Sequence, residues 1–301
     1  MGPDQLDAAR PPPVVGVTLP TGRVLDLGGR CYDLTTRALV MGILNRTPDS
    51  FYDQGETFGL AKLLDRAAGL VADGADVLDV GGVKAGPGPE VTEEEELDRV
   101  LPAVEALVAR FDVPVSVDTW RASVARAAYR AGAVMGNDIS GFADPDYLGA
   151  AAEHGASVVA THIRLAPRVR DPEPHYDDVV DAVTTFLLDR AGRAVAAGVP
   201  AARVVLDAGL DLGKTAEQSL TLLRASGTLA SLGYPLLLSA SNKTFLGATL
   251  DLALHERREA SLAAAALGVA LGARLLRVHD VAGTRRVRDT LAAVLSTGGD
   301  R

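Results

Sequence analysis

One cysteine, one tryptophan and three methionines stand in a chain of 301 residues. Cys31 has no second thiol for an internal disulfide, and no Cys/His spacing fits a zinc site. The chain therefore reads as a cytoplasmic protein held by packing. Aromatic residues are only 4% against 48% hydrophobic residues, which leaves a core of Ala, Val and Leu and excludes a stacking surface. No apolar stretch approaches a membrane span without a charge inside it, and the opening MGPDQLDAAR lacks the basic-then-apolar order of a signal peptide. Positive charge is also short. A net charge of -9 argues against general affinity for nucleic acid or anionic membrane, while leaving room for a local anion site.

What the chain has instead is a repeated pattern. Short Val/Leu/Ile runs end in polar side chains at VLDVGG, VSVDT, VMGNDIS, VVLDAG, LLLSASNK and LLRVHD, with helix-like stretches between them. A buried parallel strand reads as a near-continuous apolar run. Eight such strands are expected, at 38–45, 76–82, 113–119, 133–140, 156–163, 202–209, 234–241 and 273–280, each followed by a helix. This alternation predicts an α/β fold, a (β/α)8 TIM barrel over 38–297, in preference to a doubly wound open sheet. Ahead of it, residues 1–13 read as a flexible leader ending in three prolines. Residues 14–37 read as a hairpin, with strands VVGVTLP and GRVLDLGG about Thr21–Gly22, placed to plug the barrel floor. Thr92 and Glu95 form a capping box that starts the helix after the second strand.

In such a barrel the polar strand ends gather at one mouth. Asp79, Asp118, Asp138 and Asp207 end four strands, and a carboxylate there can accept the paired N–H donors of a guanine-like or pterin-like ring; capping of loops is the plainer role for each. Asn137 and Lys243 join them. Arg277 and His279 are two apart, so they share a strand face and suit a phosphate or diphosphate. DAGLDLGK lacks the spacing of a P-loop, which argues against nucleoside triphosphate binding.

The run MGILNRTPDSFYDQG, followed in order by VSVDT, NDIS, LDAGLDLGK, SNKTF and RVHDV, resembles the signatures of the dihydropteroate synthase family over roughly residues 35–296. The related pterin-binding methyltransferases fit LNxTPDSF and SNK less well. The resemblance implies a transferase of folate biosynthesis that joins 6-hydroxymethyl-7,8-dihydropterin diphosphate to p-aminobenzoate. It implies that Asp118, Asn137, Asp207 and Lys243 hold the pterin, that Asn45 contacts Mg2+ or the diphosphate, and that Arg277 and His279 form the anion site. Lys243, Asn45, Arg277 and His279 are thereby the catalytic set, and Ser241 lies near the p-aminobenzoate carboxylate at a helix start. Small-molecule pterin and arylamine partners, a homodimer and loops closing over the reaction are further implications.

Departures from that family fall on one side. Ala85 and Gly86 stand where Thr and Arg are expected in the second loop, Asn242 replaces an Arg, and Asp211 replaces a glycine. VKAGPG with SNK is similar to a synthase-like paralogue group of actinobacteria. The alternative reading is accordingly a pterin-binding paralogue with a different second substrate or no synthase activity.

Overall fold

The computed structural model describes residues 24–46 and 56–296. Eight parallel strands close a barrel: β3 (Leu39–Asn45), β4 (Val77–Gly81), β5 (Val115–Asp118), β6 (Met135–Asp138), β7 (Ser157–Thr161), β8 (Val204–Asp207), β9 (Leu236–Leu238) and β10 (Ala273–Val278), with β10 pairing back onto β3. Helices cover the outside: α1 (Glu56–Ala72), α2 (Glu93–Arg110), α3 (Ala122–Arg130), α4 (Tyr147–Glu153), α5 (Val179–Ala196), α6 (Ala216–Arg224), α7 (Ser226–Ala230), α8 (Thr244–Leu250), α9 (Arg258–Ala270) and α10 (Val281–Ser296). This is the (β/α)8 TIM barrel that the alternation predicts. Thr92 caps α2 through the reciprocal pair of bonds with Glu95, at 3.2 and 3.1 Å.

The hairpin is β1 (Val24–Leu27) and β2 (Arg30–Asp33), antiparallel, turning at Gly28–Gly29. The run GRVLDLGG, expected as a hairpin strand, supplies β1 and pairs onward with Arg30–Asp33, because two consecutive glycines supply the positive φ that a tight turn requires. The turn expected at Thr21–Gly22, the strand VVGVTLP and the leader 1–13 lie outside the described residues.

Leu25, Leu27 and Leu34 pack with Leu39, Met41, Val77, Met135, Val159, Val205, Leu237 and Leu275 in a single cluster. These strand residues point into the barrel, so the hairpin leucines close its floor. Each buried leucine contributes roughly 2 kcal/mol. An ion pair at 2.8 Å between Arg203 and Asp26 ties the hairpin to the start of β8.

The apolar floor also fixes what faces the mouth. Side chains two apart on a strand share a face, so above Val77, Met135, Val205 and Leu275 stand Asp79, Asn137, Asp207 and Arg277. The barrel interior is thus apolar below and charged above.

Candidate functional site

Arg277 organises the mouth. Its Nε donates to Asp79 Oδ2 at 2.6 Å and its Nη2 to Asp118 Oδ2 at 2.6 Å, so one guanidinium bridges β4 and β5 from β10. Asn137, the register partner of Asp118, donates from Nδ2 to the same Asp79 oxygen at 3.3 Å. The other oxygen of Asp79 is buried and has no hydrogen-bond partner among the described residues. Burial pushes the Asp118 carboxyl up to about 7, with Asp79, Glu96 and Asp138 adding to the rise and Arg277 opposing it.

Asp207 lies across the mouth. It accepts from Gly209 N at 2.8 Å, and burial raises its pKa against the pull of Lys243. Lys243 precedes α8 and reaches inward, donating from Nζ to Leu210 O at 2.5 Å. Burial lowers its pKa, while Asp207 and Asp211 hold it up. Asp118, Asn137, Asp207 and Lys243 therefore converge with Asp79 and Arg277 on one charged chamber.

The two residues assigned to an anion site diverge. Arg277 turns into the chamber, whereas His279 exchanges bonds with Ser241: its backbone N donates to Ser241 Oγ at 3.2 Å, and its Nδ1 lies 3.0 Å from the same oxygen. Burial and the nearby Arg277 lower the His279 pKa to about 4, so the ring is neutral at pH 7. Arg66 of α1 donates to His279 O at 3.1 Å, a contact across 213 residues that no sequence pattern announces. Asn45 is the exposed last residue of β3, opposite Gly81 in register.

Asp138 belongs elsewhere. It stands one residue from Asn137 on β6 and so faces the opposite side. Its carboxylate accepts from Ser140 N at 2.6 Å and Phe142 N at 2.9 Å, and burial pushes it up to about 6. This is the loop-capping role. Ser241 is also repositioned: α8 begins at Thr244, and its first amides are taken by Asp211, whose Oδ2 accepts from Thr244 N at 2.6 Å and whose Oδ1 accepts from Phe245 N at 3.1 Å. Lys214 sits under this loop as its internal support, donating from Nζ to Gly209 O, Leu212 O and His162 O at 2.8, 3.0 and 3.3 Å. His162 Nδ1, 2.9 Å from that ammonium, is the acceptor, consistent with burial and Lys214 lowering the ring's pKa to about 3.

Loop two is fixed from outside the chamber. Arg168 donates its backbone N to Ala85 O at 3.2 Å and its side chain to Pro89 O, while Arg99 Nη1 donates to Gly82 O at 3.0 Å. Ala85, Gly86 and Pro87 line a cavity of about 180 Å³ with Arg168, Asp211 and Lys214. Of loop one, residues 47–55 lie outside the described residues, including most of the LNxTPDSF element.

The family model for pterin binding enzymes matches residues 41–279, which span every barrel strand and its polar tip except the start of β3. The chain belongs to that family. It is 49% identical over 264 residues to a Mycobacterium tuberculosis protein named inactive dihydropteroate synthase 2, covering 86% of this chain and 83% of that one. It is 41% identical to the Bacillus subtilis dihydropteroate synthase over 265 residues, covering 87% and 90%. Among solved structures, the Yersinia pestis dihydropteroate synthase in a sulfonamide drug complex aligns with TM-score 0.85 and 39% identity over 91% of this chain and 99% of that chain. The Xanthomonas albilineans enzyme with 4-aminobenzoic acid aligns with TM-score 0.84 and 39% identity over 93% and 100%. The resemblance read from the signatures is thereby shown, and the actinobacterial paralogue likeness finds its counterpart in the mycobacterial proteins.

Proposed function

We propose that this chain is a dihydropteroate synthase-type transferase that binds a dihydropterin diphosphate and joins its methylene carbon to an amine. The observation that carries the reading is the chamber itself. A buried Asp79 oxygen without a partner, beside Asp118, Asn137, Asp207 and Lys243, offers acceptors and donors in the arrangement a pterin edge presents. Asn137 and Asp207 take the ring's amino edge, Asp118 a ring N–H, and Lys243 the ring's oxygen and nitrogen acceptors.

In the reaction, the C–O bond to diphosphate breaks with its electron pair leaving on the diphosphate. The electron-rich ring stabilises the methylene cation, the amine nitrogen's lone pair forms the new C–N bond, and the amine proton passes to solvent. The protein's part is orientation and a preorganised charge field. Arg277 lends its charge to the departing diphosphate from within the chamber, while His279, turned onto Ser241, is neutral. Among the described residues no cluster of three His, Cys, Asp or Glu side chains is placed to hold a metal, and Asn45 contributes a neutral amide oxygen. That donor set fits Mg2+ carried by the substrate's phosphates, where the ion would neutralise charge on the leaving group. A cytoplasmic location and a homodimer complete the reading. Among the described residues, no helix is long and apolar enough to cross a membrane.

A second reading is favoured by loop two, where Ala85 and Gly86 carry neither hydroxyl nor guanidinium toward the acceptor side. In it the pterin is bound but p-aminobenzoate is not the acceptor. Calorimetry with 6-hydroxymethylpterin, followed by a radiolabel turnover assay with the dihydropterin diphosphate and p-aminobenzoate, separates the two. Absence of pterin binding in the wild type, or its survival in Asp207→Ala, would sink both readings; pterin binding without turnover leaves the second.

A further inference from the structure

We infer that Thr161 is a further ring-binding residue, its hydroxyl accepting an N–H of the exocyclic amino group on the ring that Asn137 and Asp207 hold. The inference rests on the pterin-transferase reading and extends its site by one residue on β7.

In an eight-stranded barrel the inward side chains stand in layers of four, drawn from alternate strands. Asp79, Asn137, Asp207 and Arg277, on β4, β6, β8 and β10, make one such layer. The strands between them supply the next. Val159 is the register partner of Asn137 and lies in the floor cluster, so Thr161, two residues on, also points inward and stands nearer the mouth. Thr161 is in turn the register partner of Asp207. Because β7 runs between β6 and β8, the Thr161 side chain stands between Asn137 and Asp207, in the layer that Ile43 and Asp118 also occupy.

The hydroxyl there is unmet. Thr161 is 1% exposed, and its Oγ1 has no hydrogen-bond partner among the described residues, although a buried polar group left without one costs more than the bond would gain. Its methyl is committed: Cγ2 lies 3.3 Å from where a Cβ would stand at Gly209, and a β-branched side chain has few rotamers to choose from. Ser116 Oγ is unpartnered too, but its layer is that of Met41, Val159 and Leu237, on the floor side of the charged residues. Thr161 is on the mouth side, where a ligand enters. Its neighbours divide the ring's edge with it. Asn137 has one Nδ2 proton on Asp79 and keeps the other for a ring nitrogen. Asp207 Oδ1 is taken by Gly209 N, which leaves Oδ2 for N–H donors. An exocyclic amino group carries two N–H bonds; with Asp207 accepting one, the second meets Thr161 Oγ1.

Calorimetry on wild type, Thr161→Val and Thr161→Ser, with 6-hydroxymethylpterin and with its 2-desamino analogue, tests the assignment. Valine keeps the shape and removes the hydroxyl, whereas serine keeps the hydroxyl. Thr161→Val should bind the pterin about tenfold more weakly, the worth of one buried hydrogen bond, and Thr161→Ser should stay within about threefold of wild type. The desamino ring has no amino N–H to offer and should bind wild type and Thr161→Val alike, so the loss belongs to one pair of groups. The melting temperature of unliganded Thr161→Val should be unchanged or higher, because the unmet hydroxyl is gone. An unchanged pterin affinity in Thr161→Val, or an equal loss for both rings, would overturn the assignment. Where the desamino ring binds too weakly to titrate, a loss in Thr161→Val that Thr161→Ser restores supports it, and a loss shared by both variants overturns it. Wild-type pterin binding that Thr161→Val leaves intact defeats only the role of Thr161; a wild type that binds no pterin defeats the transferase reading as well.

Discussion

Replacing Arg277 by Met tests whether the chamber is held by one shared guanidinium. The substitution keeps most of the side-chain volume and removes both 2.6 Å bonds, leaving the Asp79 and Asp118 carboxylates facing each other in the barrel interior. Breaking a buried pair by deleting one partner costs about 3–5 kcal/mol. At about 2 °C per kcal/mol for a large domain, the melting temperature should fall by roughly 6–10 °C near pH 8. The pH dependence is the sharper readout. Asp118 already titrates at about 7 in the intact protein, raised from 3.8 chiefly by burial, and Arg277 is the main influence lowering it. Without Arg277 it rises further. A carboxyl whose folded pKa lies above its unfolded value contributes stability below the unfolded pKa and loses it as pH rises through the folded pKa. The variant's deficit should therefore be smaller at pH 5, where Asp118 is protonated in both proteins and the lost Asp79 bond is what remains, and should widen from pH 6 to pH 8. Melts followed by circular dichroism at pH 5, 6.5 and 8 measure it. A deficit equal at all three values, or none at pH 8, would refute the account.

Three further outcomes are expected. Pterin affinity should rise with pH through about 7 and fall up to about tenfold per unit below it, because only the ionised Asp118 accepts a ring N–H; a flat calorimetric profile from pH 5.5 to 8.5 would contradict this. Lys214→Met should strip three loop carbonyls of their donor and lower stability by about 3 kcal/mol in a urea titration, with Lys214→Arg failing to restore it because a planar fork does not match carbonyls that converge on one Nζ. The double variant Ala85→Thr, Gly86→Arg should raise any turnover with p-aminobenzoate, because it returns a hydroxyl and a guanidinium to loop two; an unchanged rate in the radiolabel assay would show that loop two is not what limits it.

The barrel was legible because each strand carries its own signal, an apolar run with a polar tip, and that signal survives in a single sequence. The chamber was legible for the same reason, and strand parity settles the one carboxylate whose role the sequence left open. Val77 and Asp79, Met135 and Asn137, Val205 and Asp207, and Leu275 and Arg277 are each two apart, so period 2 alone separates Asn137 from Asp138. A carboxylate at a strand end is a mouth residue only when its parity matches the floor. The pairing of Val24–Leu27 with Arg30–Asp33 was less legible, because the short polar run RCYD carries no alternating apolar signal of its own.

The contacts that sequence could not supply are those made by loops. Asp211 with α8, Arg168 with loop two and Arg66 with His279 join segments 33 to 213 residues apart, without a repeat or a strand register to bring them together. They also differ in kind from the chamber contacts. Strand parity fixes which groups face the chamber, and changing one of them disturbs the barrel wall. Loop contacts hang on single side chains outside the sheet, as Asp211 illustrates, held at a positive φ with both oxygens on α8. The charged chamber and the loops around it are thus physically separable. The chamber's bonds run from strand to strand, whereas Asp211 holds α8 through a loop, so a substitution in one set leaves the geometry of the other in place.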